Sequence, residues 1–137
     1  MKFSKLCILP ALAIVLLFSA CATTVKIGDD LTPAELIQRA QEASDRSRYN
    51  TAMQFYQALH ERFRHNIDLV ITAEYEIAFI HYKQRNYQEA RNGMNGVLSY
   101  YNTPDHELLP QHFRRLAEIV LSRIDEKENQ RRFFFGK

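Results

Sequence analysis

The sequence predicts an all-α fold: a row of helical hairpins closed by one last helix. Three observations carry this. Apolar residues recur at helical spacing from residue 33 to residue 128, and no stretch alternates convincingly with period 2. Glycine and proline number only four each, too few for the turn signal that an all-β sandwich or barrel needs every ~8–12 residues. The apolar face of one helix also reappears further along the chain at a fixed offset.

The 137 residues suffice for one small domain. Formal net charge is +2, from 18 Lys+Arg against 16 Asp+Glu. Lys2 and Lys5 precede an apolar run that reads as removable, and without them the chain is neutral. That excludes the basic surplus of a dedicated nucleic-acid binder. The two cysteines, Cys7 and Cys21, exclude a disulfide framework or a cysteine zinc site in the folded part.

Residues 1–20 read as an export signal. Lys2 and Lys5 form a positive start, and Leu6 to Phe18 is an apolar core too short to span a bilayer as a helix. Residues 21–31 lack apolar periodicity and carry Thr, Gly and Asp, so they read as a short flexible tether. The folded domain is expected at 32–129 and a basic, aromatic tail at 130–137.

Each helix has its own signal. Thr32-Pro33-Ala34-Glu35 is a start, with Thr32 as cap, Pro33 in the first helical position and Glu35 closing a capping box. Apolar spacing predicts helices at about 33–46, 49–64, 67–84, 87–101 and 108–128. Breaks fall near Ser47-Arg48, His65-Asn66, Arg85-Asn86 and Asn102-Thr103-Pro104-Asp105, and Pro110 is placed in the first turn of the last helix. The second helix shows Tyr49, Ala52, Tyr56, Leu59 and Phe63, and the fourth shows Tyr87, Ala90, Met94, Val97 and Tyr101. Each pair is 38 apart, as are Ala40 and Ala78, and Ala117 follows Ala78 by 39. Alanine at these places lets helix axes approach closely.

Phe18-Ser19-Ala20-Cys21 resembles a bacterial lipobox. That resemblance implies acylation of Cys21 (palmitate-type chains) and cleavage just before it. The alternatives are ordinary cleavage near Ala20-Cys21-Ala22, releasing a soluble periplasmic protein, and an uncleaved anchor. Two or more acyl chains hold a protein stably at a bilayer. Ala22, not Asp, follows the cysteine, which leans towards the outer membrane, periplasmic face.

Residues 73–90, AEYEIAFIHYKQRNYQEA, resemble a tetratricopeptide repeat (TPR), with Ala78, Tyr82, Tyr87 and Ala90 at the family's positions. The first copy keeps Ala40, Tyr49 and Ala52, and the third keeps Phe113, Leu116 and Ala117 before ending as a capping helix. The likeness implies about two repeats plus that cap. Its long period and the lipobox are similar to lipoproteins of the BamD (YfiO) type and the TPR part of YbgF-like periplasmic proteins.

In TPR arrays the first helix of each pair lines a concave groove. Carried over, the groove positions are Ile37, Gln41, Ser44 and Asp45, then Tyr75, Phe79, Tyr82 and Lys83, then Arg114, Glu118 and Leu121. Rings flanked by Lys and Arg suit a peptide or helix ligand. The competing reading packs Tyr75 and Phe79 between neighbouring helices. Gly93 and Gly96 inside the fourth helix either admit a neighbouring backbone or are merely tolerated, at ~1 kcal/mol each. Phe133, Phe134 and Phe135, after Arg131-Arg132, either dock on the chain's own last helix, stay disordered, or meet a partner or a bilayer.

His60, His65, His81, His106 and His112 are scattered, and His81 is expected to be packed or hydrogen-bonded. Glu74 and Glu76 point in different directions and are expected to be solvated. No catalytic set, metal site or cofactor site is assembled, so an enzyme is not expected. The expected role is a membrane-tethered scaffold that binds other envelope proteins, in its most specific form a BamD-like accessory of outer-membrane β-barrel assembly. Alternatives are a scaffold in cell-wall, division or transporter complexes, or a periplasmic small-ligand binder. Self-association is open, because a short array leaves an apolar stacking end.

Overall fold

The computed structural model describes residues 24–135. The export signal at 1–20 and Cys21 lie outside the described residues, as do Gly136, Lys137 and the side chain of Phe135. The protein is all-α, with no strand among the described residues. Its helices are α1 (Pro33–Asp45), α2 (Tyr49–Arg62), α3 (Ile67–Lys83), α4 (Tyr87–Ser99) and α5 (Gln111–Phe135), with short 3-10 turns at Tyr100–Asn102 and His106–Leu108. Among the described residues no helix is long and apolar enough to cross a membrane.

The start of α1 forms as the sequence dictates. Glu35 donates its backbone N–H to the Thr32 hydroxyl at 3.3 Å, and the Thr32 N–H donates to the Glu35 carboxylate at 2.9 Å. This reciprocal box satisfies two donors that a helix start leaves open. Asn66 caps α3 by accepting from the N–H groups of Asp68 and Leu69.

Helices α1–α2 and α3–α4 form antiparallel hairpins, and α5 packs on α4 and α3. Both hairpin turns are built alike. Ser47 (φ 57°) and Arg85 (φ 64°), at equivalent places in the two repeats, are left-handed. Arg48 N–H bonds Ala43 C=O at 2.8 Å, and Asn86 N–H bonds His81 C=O at 2.9 Å. These six-residue closures satisfy the last carbonyls of α1 and α3. Here the residue in the left-handed position is not glycine, and such a conformation costs roughly 1–2 kcal/mol.

Two core clusters share α3. Leu36, Ala40, Ala52, Phe55, Tyr56 and Leu59 pack with Ala73 and Ile80 of α3. Ile71, Tyr75 and Ala78, on its other side, pack with Ala90, Met94, Val97, Ala117 and Ile124. A helix between two neighbours must be apolar on both flanks.

Three sequence expectations need correction. Residues 24–31 are docked rather than a loose tether. Leu31 is buried, Val25 and Ile27 pack against the first cluster, and Arg62 donates to the carbonyls of Gly28 (2.6 Å) and Ile27 (3.3 Å). The last helix starts at Gln111, not 108, because Pro110 holds Leu109 extended (ψ 156°) and detaches the 106–108 turn. It also runs on to Phe135, so residues 130–135 continue α5.

Candidate interaction surfaces

The predicted groove positions split into three groups. Tyr75 is 6% exposed, with its ring 5.2 Å from Phe113 and 5.9 Å from Phe79. It therefore packs between helices and does not line an open groove. Burial and the nearby Glu76 charge push its hydroxyl up to about 12, partly offset by Arg123. Phe79 and Tyr82 stay half-buried and stacked, with centroids 5.9 Å apart. Lys83 stays exposed and lies across the same face, its Nζ 5.4 Å from the Tyr49 ring and 5.3 Å from the Phe79 ring. Its ammonium also donates to the Ser44 hydroxyl, which ties α1 to α3. Ile37 is half-buried, and Gln41 and Asp45 are exposed.

Glu76 belongs to the same face and was missed, since its charge argued for solvent. It is half-buried, and burial pushes its carboxyl above the usual range, with Lys83 pulling the other way. The signal available was its place two helical turns before Lys83 on the same helix.

Arg114, Glu118 and Leu121 do not join Phe79 and Tyr82. The buried stripe Phe113, Ala117, Val120 and Ile124 sets the rotation of α5. The three residues then share a flank with Asp125 and Glu128, which bond Arg91 of α4 at 2.7 and 2.9 Å. Arg123, on the opposite flank, is the residue whose charge reaches Tyr75. Arg114 pairs instead with Glu118 at 3.4 Å and stands beside Tyr101.

A second surface lies on the outer side of α3–α4. Glu74 accepts from the Tyr100 hydroxyl at 2.9 Å and contacts His60 Nε2 at 3.1 Å, so it is partnered and not freely solvated. Burial and this carboxylate push the Tyr100 hydroxyl up to about 12. Beside them runs a cleft of about 290 Å³ lined by Glu74, Ile77, Ala78, His81, Asn92, Gly93 and Gly96. Nδ1 of His81 is buried without a partner among the described residues. The two glycines differ. A Cβ on Gly93 would meet the Ala78 Cβ at 2.6 Å, so glycine there permits the close α3–α4 approach. A Cβ on Gly96 would meet nothing within 4 Å, because it opens onto the cleft.

The first hairpin has the matching groove, and there it is filled. Gln54, Phe55 and Ala58 stand one repeat before Asn92, Gly93 and Gly96. Val25 donates its N–H to the Gln54 side chain at 2.9 Å, and Val25, Ile27 and Leu31 pack over that hairpin. A non-helical segment of the chain thus covers in α1–α2 what stays open in α3–α4.

Phe133 and Phe134 extend outward on α5, 82% and 72% exposed, so neither docks on its own helix. Phe134 borders a cavity of about 460 Å³ with Arg85, Tyr87, Lys127, Gln130 and Arg131.

Comparison with known proteins adds one relative. Over 117 residues, 83% of this chain, the sequence is 37% identical to an uncharacterized protein of Treponema pallidum (strain Nichols). The chain spans about half of that protein's length, 47%. No family model matches the chain. No solved structure matches it either.

Proposed function

We propose that the protein is a membrane-tethered scaffold of the cell envelope: a TPR-like pair of helical hairpins with a terminal helix, held at a bilayer by acylated Cys21. It receives an extended segment of another protein. One observation carries this reading. The groove of α3–α4 is open, while the matching groove of α1–α2 holds the chain's own residues 25–31 through a backbone N–H to an amide side chain and the apolar contacts of Val25, Ile27 and Leu31. Asn92 stands where Gln54 stands, and Gly96 leaves room for a backbone. The half-buried strip of Phe79 and Tyr82 offers further apolar area on α3.

The tether raises the local concentration of partners at the membrane surface. In its most specific form the role is that of a BamD-like accessory in outer-membrane β-barrel assembly, a form that rests on the repeat pattern and the lipobox. A photo-crosslinking residue at Asn92, and a second at Phe79, test the reading in cells. The expected result is a discrete crosslinked envelope protein from Asn92. Crosslinks to lipid alone from both positions would overturn it. Co-purification in mild detergent without any β-barrel assembly component would remove the specific form.

A further inference from the structure

The helix ends divide the molecule into two poles. Ser44 with Lys83, and Arg91 with Asp125 and Glu128, bring together the ends of α1, α3 and α5 and the start of α4. The Tyr101 hydroxyl bonds Pro110 C=O at 2.8 Å and joins the far ends of α4 and α5. The first pole is basic: Arg46 and Arg48 in the α1–α2 turn, Arg85 in the α3–α4 turn, and Lys127, Arg131 and Arg132 on α5. Asp45, Glu89 and Glu126 are outnumbered there, and Asp125 and Glu128 share the single charge of Arg91. The other pole is only weakly acidic: Asp29, Asp30, Glu61, Asp68, Asp105 and Glu107 stand there with Arg62, Arg64, Arg114 and Arg115.

Three further facts concern the basic pole. Arg85, Lys127 and Arg131 line the cavity of about 460 Å³ with Tyr87 and Phe134, and none of these cations is ion-paired among the described residues. Phe133 and Phe134 project beside them. The N-terminal segment is also directed toward this pole: residues 25 to 28 run alongside α2 from Gln54 to Arg62, so Thr24 lies on the basic pole's side of Val25. Cys21 precedes Thr24 by three residues in the sequence.

We infer that this pole docks on an anionic phospholipid bilayer. A headgroup phosphate sits in the cavity between Arg85, Lys127 and Arg131, and the Phe133 and Phe134 rings enter the interface. Guanidinium and ammonium groups pair with phosphate, and aromatic rings settle at headgroup depth. The cation excess at the first pole stands the domain on end, with the weakly acidic pole away from the membrane. The inference deepens the tethered reading by giving the anchored domain an orientation.

The test uses the full chain, processed in membranes and reconstituted into vesicles of phosphatidylcholine alone or with phosphatidylglycerol. An environment-sensitive dye is attached at Phe133→Cys or, at the acidic pole, at Leu108→Cys, where the native side chain is 83% exposed. The expected result is a blue shift at 133 on the anionic vesicles only, reversed by high salt, with none at 108. Arg85→Ala and Lys127→Ala each reduce the docked-to-undocked ratio about fivefold. A water-like signal at 133 on anionic vesicles, or equal shifts at both positions, overturns the proposal. A shift produced by glycerol phosphate without vesicles assigns the cavity to a free anion and overturns the bilayer as its source. Mass spectrometry reads the acyl groups separately. A chain that lacks them yet responds to anionic vesicles keeps this inference and sinks the tether.

Discussion

The two hairpins share a plan and differ in how they are finished. Both turn through a left-handed residue at matching positions, Ser47 and Arg85, and both cross at an alanine, Ala40 and Ala78. The first hairpin is completed by its own chain: Phe55 is buried in its cluster, and residues 25–31 lie over its outer groove. The second has Gly93 in place of Phe55 and Gly96 in place of Ala58, with an open cleft beside them. Meanwhile its inner face carries the half-buried Phe79 and Tyr82 where the first has Gln41 and Ser44. One repeat has committed its apolar groups to stability, whereas the other keeps uncovered surface. Binding sites are expected at the second kind of place.

The largest effect should come from the finished hairpin. Phe55→Ala removes a buried ring and is expected to cost about 3–5 kcal/mol, read by chemical denaturation. A loss under about 1 kcal/mol would mean that the first cluster is not closed as described. Next comes Gly93→Ala. Its Cβ would press on Ala78 at 2.6 Å, so a loss of about 1–3 kcal/mol is expected although alanine is the better helix former. Gly96→Ala should do the opposite, a gain of about 1 kcal/mol, because nothing opposes its Cβ. If the cleft receives a partner backbone, that more stable variant should lose the Asn92 crosslink. Stabilisation with the crosslink intact would remove the groove from the functional account.

Much of this was legible in the sequence. The recurrence of one apolar face locates both hairpins, because a close helix crossing demands a small residue and Ala40, Ala78, Ala52 and Ala90 supply it. The capping box follows from Thr32 and Glu35 alone. What was hidden depends on contacts distant in sequence. Residues 25–31 look like linker because a few apolar side chains, Val25, Ile27 and Leu31 with polar neighbours between, carry little pattern. The rotation of α5 is set by which stripe meets α3 and α4 together, so a register carried over from Tyr75 and Phe79 placed Arg114 and Glu118 on the wrong flank. Gly93 and Gly96 look alike on one helix, and only the neighbouring Ala78 distinguishes them. The two halves of Arg91's ion pairs, Asp125 and Glu128, lie on another helix far along the chain, and no local spacing announces them.

The smallest expected effect sharpens the contrast on the inner face. Glu76 stands one repeat after Gln38, which is exposed and bonds Glu42 at 3.0 Å. Converting Glu76→Gln therefore makes the second hairpin like the first at that place. Burial raises the Glu76 pKa in the folded chain above its ordinary 4.5, with Lys83 opposing. A carboxyl whose folded pKa lies above its unfolded value binds its proton more tightly in the native state. Wild-type stability from this group is then fully present below 4.5 and is lost as pH rises through the folded value. At pH 7 the charged, half-buried carboxylate works against folding, so Glu76→Gln should raise the melting temperature slightly there. The advantage should shrink as pH falls and vanish below 4.5, where wild type is itself protonated. A melting series from pH 7 to pH 4 reads it. A variant less stable at pH 7, with a deficit that closes on acidification, would show that the Lys83 attraction outweighs the burial cost. The inner face would then be held by an ion pair the first hairpin lacks, and the contrast between the repeats would rest on charge rather than on uncovered rings.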